Sequence, residues 1–87
     1  MNLRPIGSNQ TEVEFSDGTI VFYSYETPVA VIVPAPDAKG GKKVMLTNHF
    51  YSVTTSRHIH QWTLDKTNYE WQSVDPEDID KMIRQGE

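Results

Sequence analysis

The chain has 87 residues, of which 37% are hydrophobic and 10% aromatic, with no cysteine and a formal net charge of -4. That length fits one domain, residues 1–87, with a small core. The aromatic content argues against disorder, and the missing cysteines exclude disulfides, thiol nucleophiles and zinc–thiolate sites.

The opening "MNLRPIGSNQ" has no apolar stretch of the kind that makes a signal peptide, and no apolar run reaches the roughly 18 residues that would cross a bilayer. The expectation is a soluble, intracellular protein without membrane association. Charge is unevenly placed: residues 1–64 hold five acids and five bases, and residues 65–87 hold seven acids and three bases. Such an acidic end repels a phosphate backbone and attracts a basic protein, although a plain solvated helix face has the same composition.

In chain order, "TEVEF" (11–15) alternates polar and apolar residues as a half-buried strand does. The Asp17-Gly18 pair that follows predicts a two-residue hairpin loop. That loop would pair Phe15 with Ile20 and Val13 with Phe22, all on one face. "TIVFYSY" (19–25) is then a second strand, with Val21, Tyr23 and Tyr25 on its other face. Pro28 opens a third strand, "VAVIV" (29–33), which is apolar throughout and so buried on both faces. "PAPDAKGGKK" (34–43) is a loop and "VMLTN" (44–48) a fourth strand.

In "YSVTTSRHIHQWT" (51–63), Thr54, Thr55 or Ser56 is expected to cap a helix. Ile59 and Trp62 face the sheet from that helix, and Arg57, His60 and Gln61 point away. His58 reads as a structural histidine near the sheet edge. "YEWQSV" (69–74) is a short strand with Tyr69, Trp71 and Ser73 on one face. Asp75 and Pro76 open a last helix, with Glu77 and Asp78 at its positive end, Ile79, Met82 and Ile83 as its apolar stripe, and Gly86 as its stop. The fold class is α+β: a small antiparallel β-meander of four to five strands with two short helices packed on it.

Two segments, "SYETPVAV" (24–31) and "YSVTTSRHIHQW" (51–62), resemble a small uncharacterised domain family found widely in phage and prophage proteins. Its members pair an "sY-x-TPvA" segment with a downstream "YS-x-TTs-[KR]-Hi" segment. His60-Gln61-Trp62 stands where many members have "HINKW", and the 34–43 loop and the acidic end are particular to this chain. The resemblance implies a phage or prophage origin, hence a place in the cytoplasm of a bacterial host, and an α+β fold. It carries no activity and transfers no catalytic residue.

For a metal, the candidate ligands are His49, His58 and His60, but residues at i and i+2 diverge on a helix. No HExxH spacing and no P-loop context surrounds them or Gly40-Gly41. A triad of Ser52 or Ser56 with His58 and Asp65 has no nucleophile-elbow motif around either serine. The expectation is therefore a non-enzyme with no cofactor and no bound metal, acting as a small phage-type accessory protein. It would bind a host protein, and inhibition of a host or defence protein fits that role. Its binding residues would be Arg57, His60, Gln61, Asp75, Glu77, Asp78 and Asp80. The alternative is a small nucleic-acid-binding module. There Lys39, Lys42 and Lys43 hold phosphates, Tyr23 and Tyr25 stack on bases, and the Arg57/His60/Gln61 helix face enters a groove. A sequence pI near 5.2 weighs against that alternative. A second core under the last helix also accounts for the tyrosines.

Overall fold

A computed structural model describes residues 2–86. Six strands form one sheet in sequence order: β1 (Asn2–Gly7), β2 (Gln10–Glu14), β3 (Ile20–Ser24), β4 (Thr27–Pro34), β5 (Lys42–Thr47) and β6 (Glu70–Val74). The helices are α1 (Val53–Thr63), between β5 and β6, and α2 (Pro76–Gly86). The α+β class stands. The meander of four to five strands becomes a mixed sheet of six, because β5 and β6 run parallel. A helical crossover between sequential strands brings the second back in the same direction, and α1 is that crossover.

The strand missing from the sequence reading is β1. Every β1 residue except Arg4 is exposed, so no apolar alternation marks it. It is held by pairing with β2 and by Arg4, whose guanidinium donates to Glu14 at 2.7 Å and Glu12 at 3.2 Å. Hydrogen bonding and attraction from Glu14, then Glu12, raise the Arg4 pKa further.

The β2–β3 turn corrects the predicted register. Phe15 N–H donates to the Thr19 carbonyl at 2.8 Å, and Gly18 N–H to the Phe15 carbonyl at 3.1 Å. The loop is therefore the three residues Ser16, Asp17 and Gly18, with Gly18 at φ 93 supplying the left-handed position such loops need. Val13 pairs with Val21, and Glu12 with Phe22. A one-residue slip moves side chains to the other face. Val13, Phe15, Val21 and Tyr23 accordingly share one face, and Ile20 and Phe22 lie on the other.

Both faces are covered. Ile79, Met82 and Ile83 of α2 pack on Val13, Phe15, Val21, Val31, Met45 and Val74. Ile59 and Trp62 of α1 pack on Phe22, Val29, Ala30, Ile32 and Val44. The Trp62 ring stacks on Phe22 with centroids 4.8 Å apart and planes 7° from parallel. The predicted third strand is β4, and its residues 29–33 are all apolar because they contribute to both cores. It is longer than predicted, running Thr27–Pro34, with a bulge opposite Phe22 and Tyr23.

Candidate functional site

The β1–β2 turn, the β3–β4 turn, residues 48–52 and the starts of both helices fall at the same end of the sheet. This follows from the register: Gln10 pairs with Ser24, Ser24 with Thr27, Ala30 with Leu46 and Thr47 with Val74. The β2–β3, β4–β5 and α1–β6 connections fall at the opposite end.

At the first end the two segments that carry the family resemblance meet. Ser24 Oγ donates to Thr55 Oγ1 at 3.0 Å and lies 2.8 Å from His58 Nδ1. All three side chains are buried, and His58 sits over the interior strand β3 rather than at a sheet edge. The helix cap is Ser52, whose hydroxyl accepts from Thr55 N–H at 3.0 Å, not Thr54, Thr55 or Ser56. Thr55 points inward to Ser24 instead. The next residue, Tyr25, leans its ring over His58 at 5.8 Å between centroids. Its backbone has φ 58, an uncommon position for a bulky side chain. Its N–H donates to the Asn9 carbonyl at 2.7 Å, and Asn9 itself has φ 59.

This end also exposes apolar surface. Tyr25 is 50% exposed, Phe50 66%, Tyr51 39% and Val53 65%. His49 packs edge-on against Tyr51 at 4.5 Å. The start of α2 brings acids to the same end. Asn48 Nδ2 donates to the Asp75 carboxylate at 2.7 Å, and Glu77 and Asp78 occupy the first turn of α2. Glu26 has no hydrogen-bond or ion-pair partner among the described residues.

The sequence-predicted sites divide differently from expectation. Arg57, His60 and Gln61 are exposed on α1, on the opposite side of the sheet from α2. They do not form one surface with Asp80 and the other α2 acids. Lys39, Lys42 and Lys43 lie at the far end of β4 from Tyr25, and a strand of that length spans roughly 26 Å. Lys42 Nζ sits 5.9 Å from the Tyr69 ring. Lys42 and Lys43 alternate onto opposite faces. Tyr23 is half-buried against the core under α2 and lines a shallow cavity with Tyr25, but this pair lies at the opposite end of the sheet from the lysines. The nucleic-acid set is therefore dispersed. The triad residues are also apart in role: Ser52 caps α1, Asp65 pairs with Lys66 at 2.9 Å, and His58 is bonded by Ser24. Among the described residues, no group of three potential ligands gathers around a metal position.

A cleft of about 360 Å³ lies between β1–β2 and the end of α1, lined by Ile6, Gln10, Glu12, Gln61, Trp62, Asp65 and Lys66. Glu12, Trp62, Asp65 and Lys66 are bonded among themselves. Trp62 Nε1 donates to Glu12 Oε2 at 2.7 Å, and Lys66 Nζ donates to the Trp62 carbonyl at 2.9 Å while lying 4.4 Å from its ring. The Asp65 carboxyl is held below its ordinary pKa by its hydrogen bond and charge contact with Lys66.

Fold and site together define a small three-layer α+β domain, with an aromatic, acid-rimmed surface at one end of the sheet. The chain belongs to a family of unknown function, DUF8033, whose model matches residues 1–81. No curated protein and no solved structure matches it. Among the described residues, no helix is long and apolar enough to cross a membrane.

Proposed function

We propose that this chain is a small accessory protein of phage or prophage type that works by binding a host protein, without catalysis, through the Tyr25 end of its sheet. The observation that carries this reading is the gathering of Tyr25, Phe50, Tyr51 and Val53 at one exposed end, with Glu26, Asp75, Glu77 and Asp78 around it. Exposed aromatic anchors with a charged rim are the composition of a protein-binding surface. The acidic rim favours a partner with a basic surface, such as the groove a host or defence protein reserves for nucleic acid, and long-range attraction speeds that encounter. The polar groups beneath are mutually bonded, which suits a rigid platform.

Capture of a partner from host lysate, with and without nuclease, tests the reading. The expected result is a discrete nuclease-resistant partner, lost on charge reversal of Asp75, Glu77 and Asp78 and on Phe50→Ser. Salt-sensitive gel shifts of DNA or RNA, abolished by neutralising Lys39, Lys42 and Lys43 with no protein captured, would replace it with nucleic-acid binding.

A further inference from the structure

Asn9 and Tyr25, the non-glycine residues with positive φ among those described, line the same cavity, of about 550 Å³, together with Thr11, Glu26 and Thr27. Backbone held in sparsely populated conformations collects at sites where a side chain must be presented in one orientation. Here it is the Tyr25 ring, half exposed above the cavity and supported from behind by His58. His58 is in turn fixed by Ser24. The volume lies within the roughly 300–1,000 Å³ range of ligand pockets.

The lining has a distinct chemical bias. It offers an aromatic face with its phenol, an unpaired carboxylate, two threonine hydroxyls and the Asn9 amide, and it contains no basic residue. That set repels phosphate and carboxylate ligands and suits a cation rich in donors. A guanidinium fits each part. Its plane stacks on a tyrosine ring. Its paired N–H groups fork onto a carboxylate. Its remaining N–H groups find hydroxyl and amide oxygens. An ammonium is compact and strongly hydrated, and makes less of a flat ring. Resting on the reading that this end binds a protein, we propose that the Asn9–Thr11–Tyr25–Glu26–Thr27 cavity is the specificity pocket for an arginine side chain of the partner.

The test titrates the ¹⁵N-labelled full chain with N-acetyl-arginine amide. N-acetyl-lysine amide and N-acetyl-citrulline amide, the second a neutral near-isostere of arginine, serve as comparison probes. The pocket predicts saturable amide shifts centred on Asn9, Thr11 and Tyr25 to Thr27 with arginine, weaker ones with lysine and none with citrulline. Glu26→Gln should weaken arginine binding about tenfold or more, Tyr25→Leu should abolish it, and Tyr25→Phe should retain it. Tyr25→Gly should raise the thermal midpoint by relieving the backbone while losing the arginine shifts. Absent or scattered shifts, or equal shifts with citrulline, overturn the pocket. A partner still captured through Phe50 and the α2 acids would then leave the protein-binding reading standing by itself. Capture by Glu26→Gln at wild-type affinity would likewise overturn the arginine pocket.

Discussion

His58 Nδ1 and Ser24 Oγ lie 2.8 Å apart in the buried layer between β3 and α1, although 34 positions separate them in sequence. Thr55 completes the set by accepting from the same serine. Removing Ser24 strands both Thr55 and His58 in the buried layer, whereas removing His58 leaves Ser24 bonded to Thr55 with one buried hydrogen-bonding position unfilled. His58→Ala is expected to cost about 1–3 kcal/mol in urea denaturation. Ser24→Ala combined with His58→Leu should cost less than the two single changes summed, by about 0.5 kcal/mol or more. Strict additivity would mean the contact carries no coupling.

Trp62 supplies both a stacked ring on Phe22 and an indole N–H for Glu12. Trp62→Ala should cost about 3–5 kcal/mol, enough to unfold a domain of this size. Trp62→Phe keeps the stack and loses the hydrogen bond, at about 1–2 kcal/mol. An unchanged thermal midpoint in the alanine variant would contradict the packing of α1.

Gly40 and Gly41 have similar backbones, at φ 74 and φ 78, but different surroundings. A Cβ on Gly40 would meet Tyr69 Cδ1 at 2.7 Å and Asn68 O at 2.8 Å, whereas one on Gly41 meets nothing within 4 Å. Gly41→Ala should therefore cost only the left-handed penalty, about 1 kcal/mol. Gly40→Ala should cost distinctly more, with the difference read from paired melting curves.

Asp17 holds its carboxyl below the ordinary value of 3.8 mainly through the Thr19 backbone N–H. A carboxyl depressed in the folded state adds stability that is present above its unfolded pKa and lost as pH falls through the folded one. The turn should therefore loosen only below the ordinary value of 3.8. Asp17→Ala should flatten that part of the acid-unfolding curve, while leaving the neutral-pH curve parallel to wild type.

Much of the fold was legible in the sequence, for reasons that particular residues make clear. Asp75 and Pro76 marked the start of α2, and Ile79, Met82 and Ile83 its buried stripe, because spacing and end chemistry pointed the same way. Ile59 and Trp62 marked the inner face of α1 likewise. The hairpin is legible but its register is not: Asp17-Gly18 serves a two-residue or a three-residue loop equally, and one residue decides which face Phe22 takes. The exposed β1 carries no burial pattern to read. Of the site, the outward direction of Arg57, His60 and Gln61 was legible. Ser24, Asn9 and Glu26 carry no composition or spacing signal of their own, since their roles come from contacts or surroundings that only the folded sheet creates. The "sY" and "TTs-[KR]-H" segments were the available signal that Ser24 and His58 act together.

On the proposed function, the Tyr25 end of the sheet is the surface a partner covers. Hydrogen exchange on the captured complex, compared with the free chain, checks this. The prediction is slowed exchange at backbone amides of residues 9–11, 25–27 and 48–56, with residues 35–43 and 64–69 at the opposite end unchanged. Protection confined to the opposite end, or to the outer face of α1 around His60 and Gln61, would contradict it.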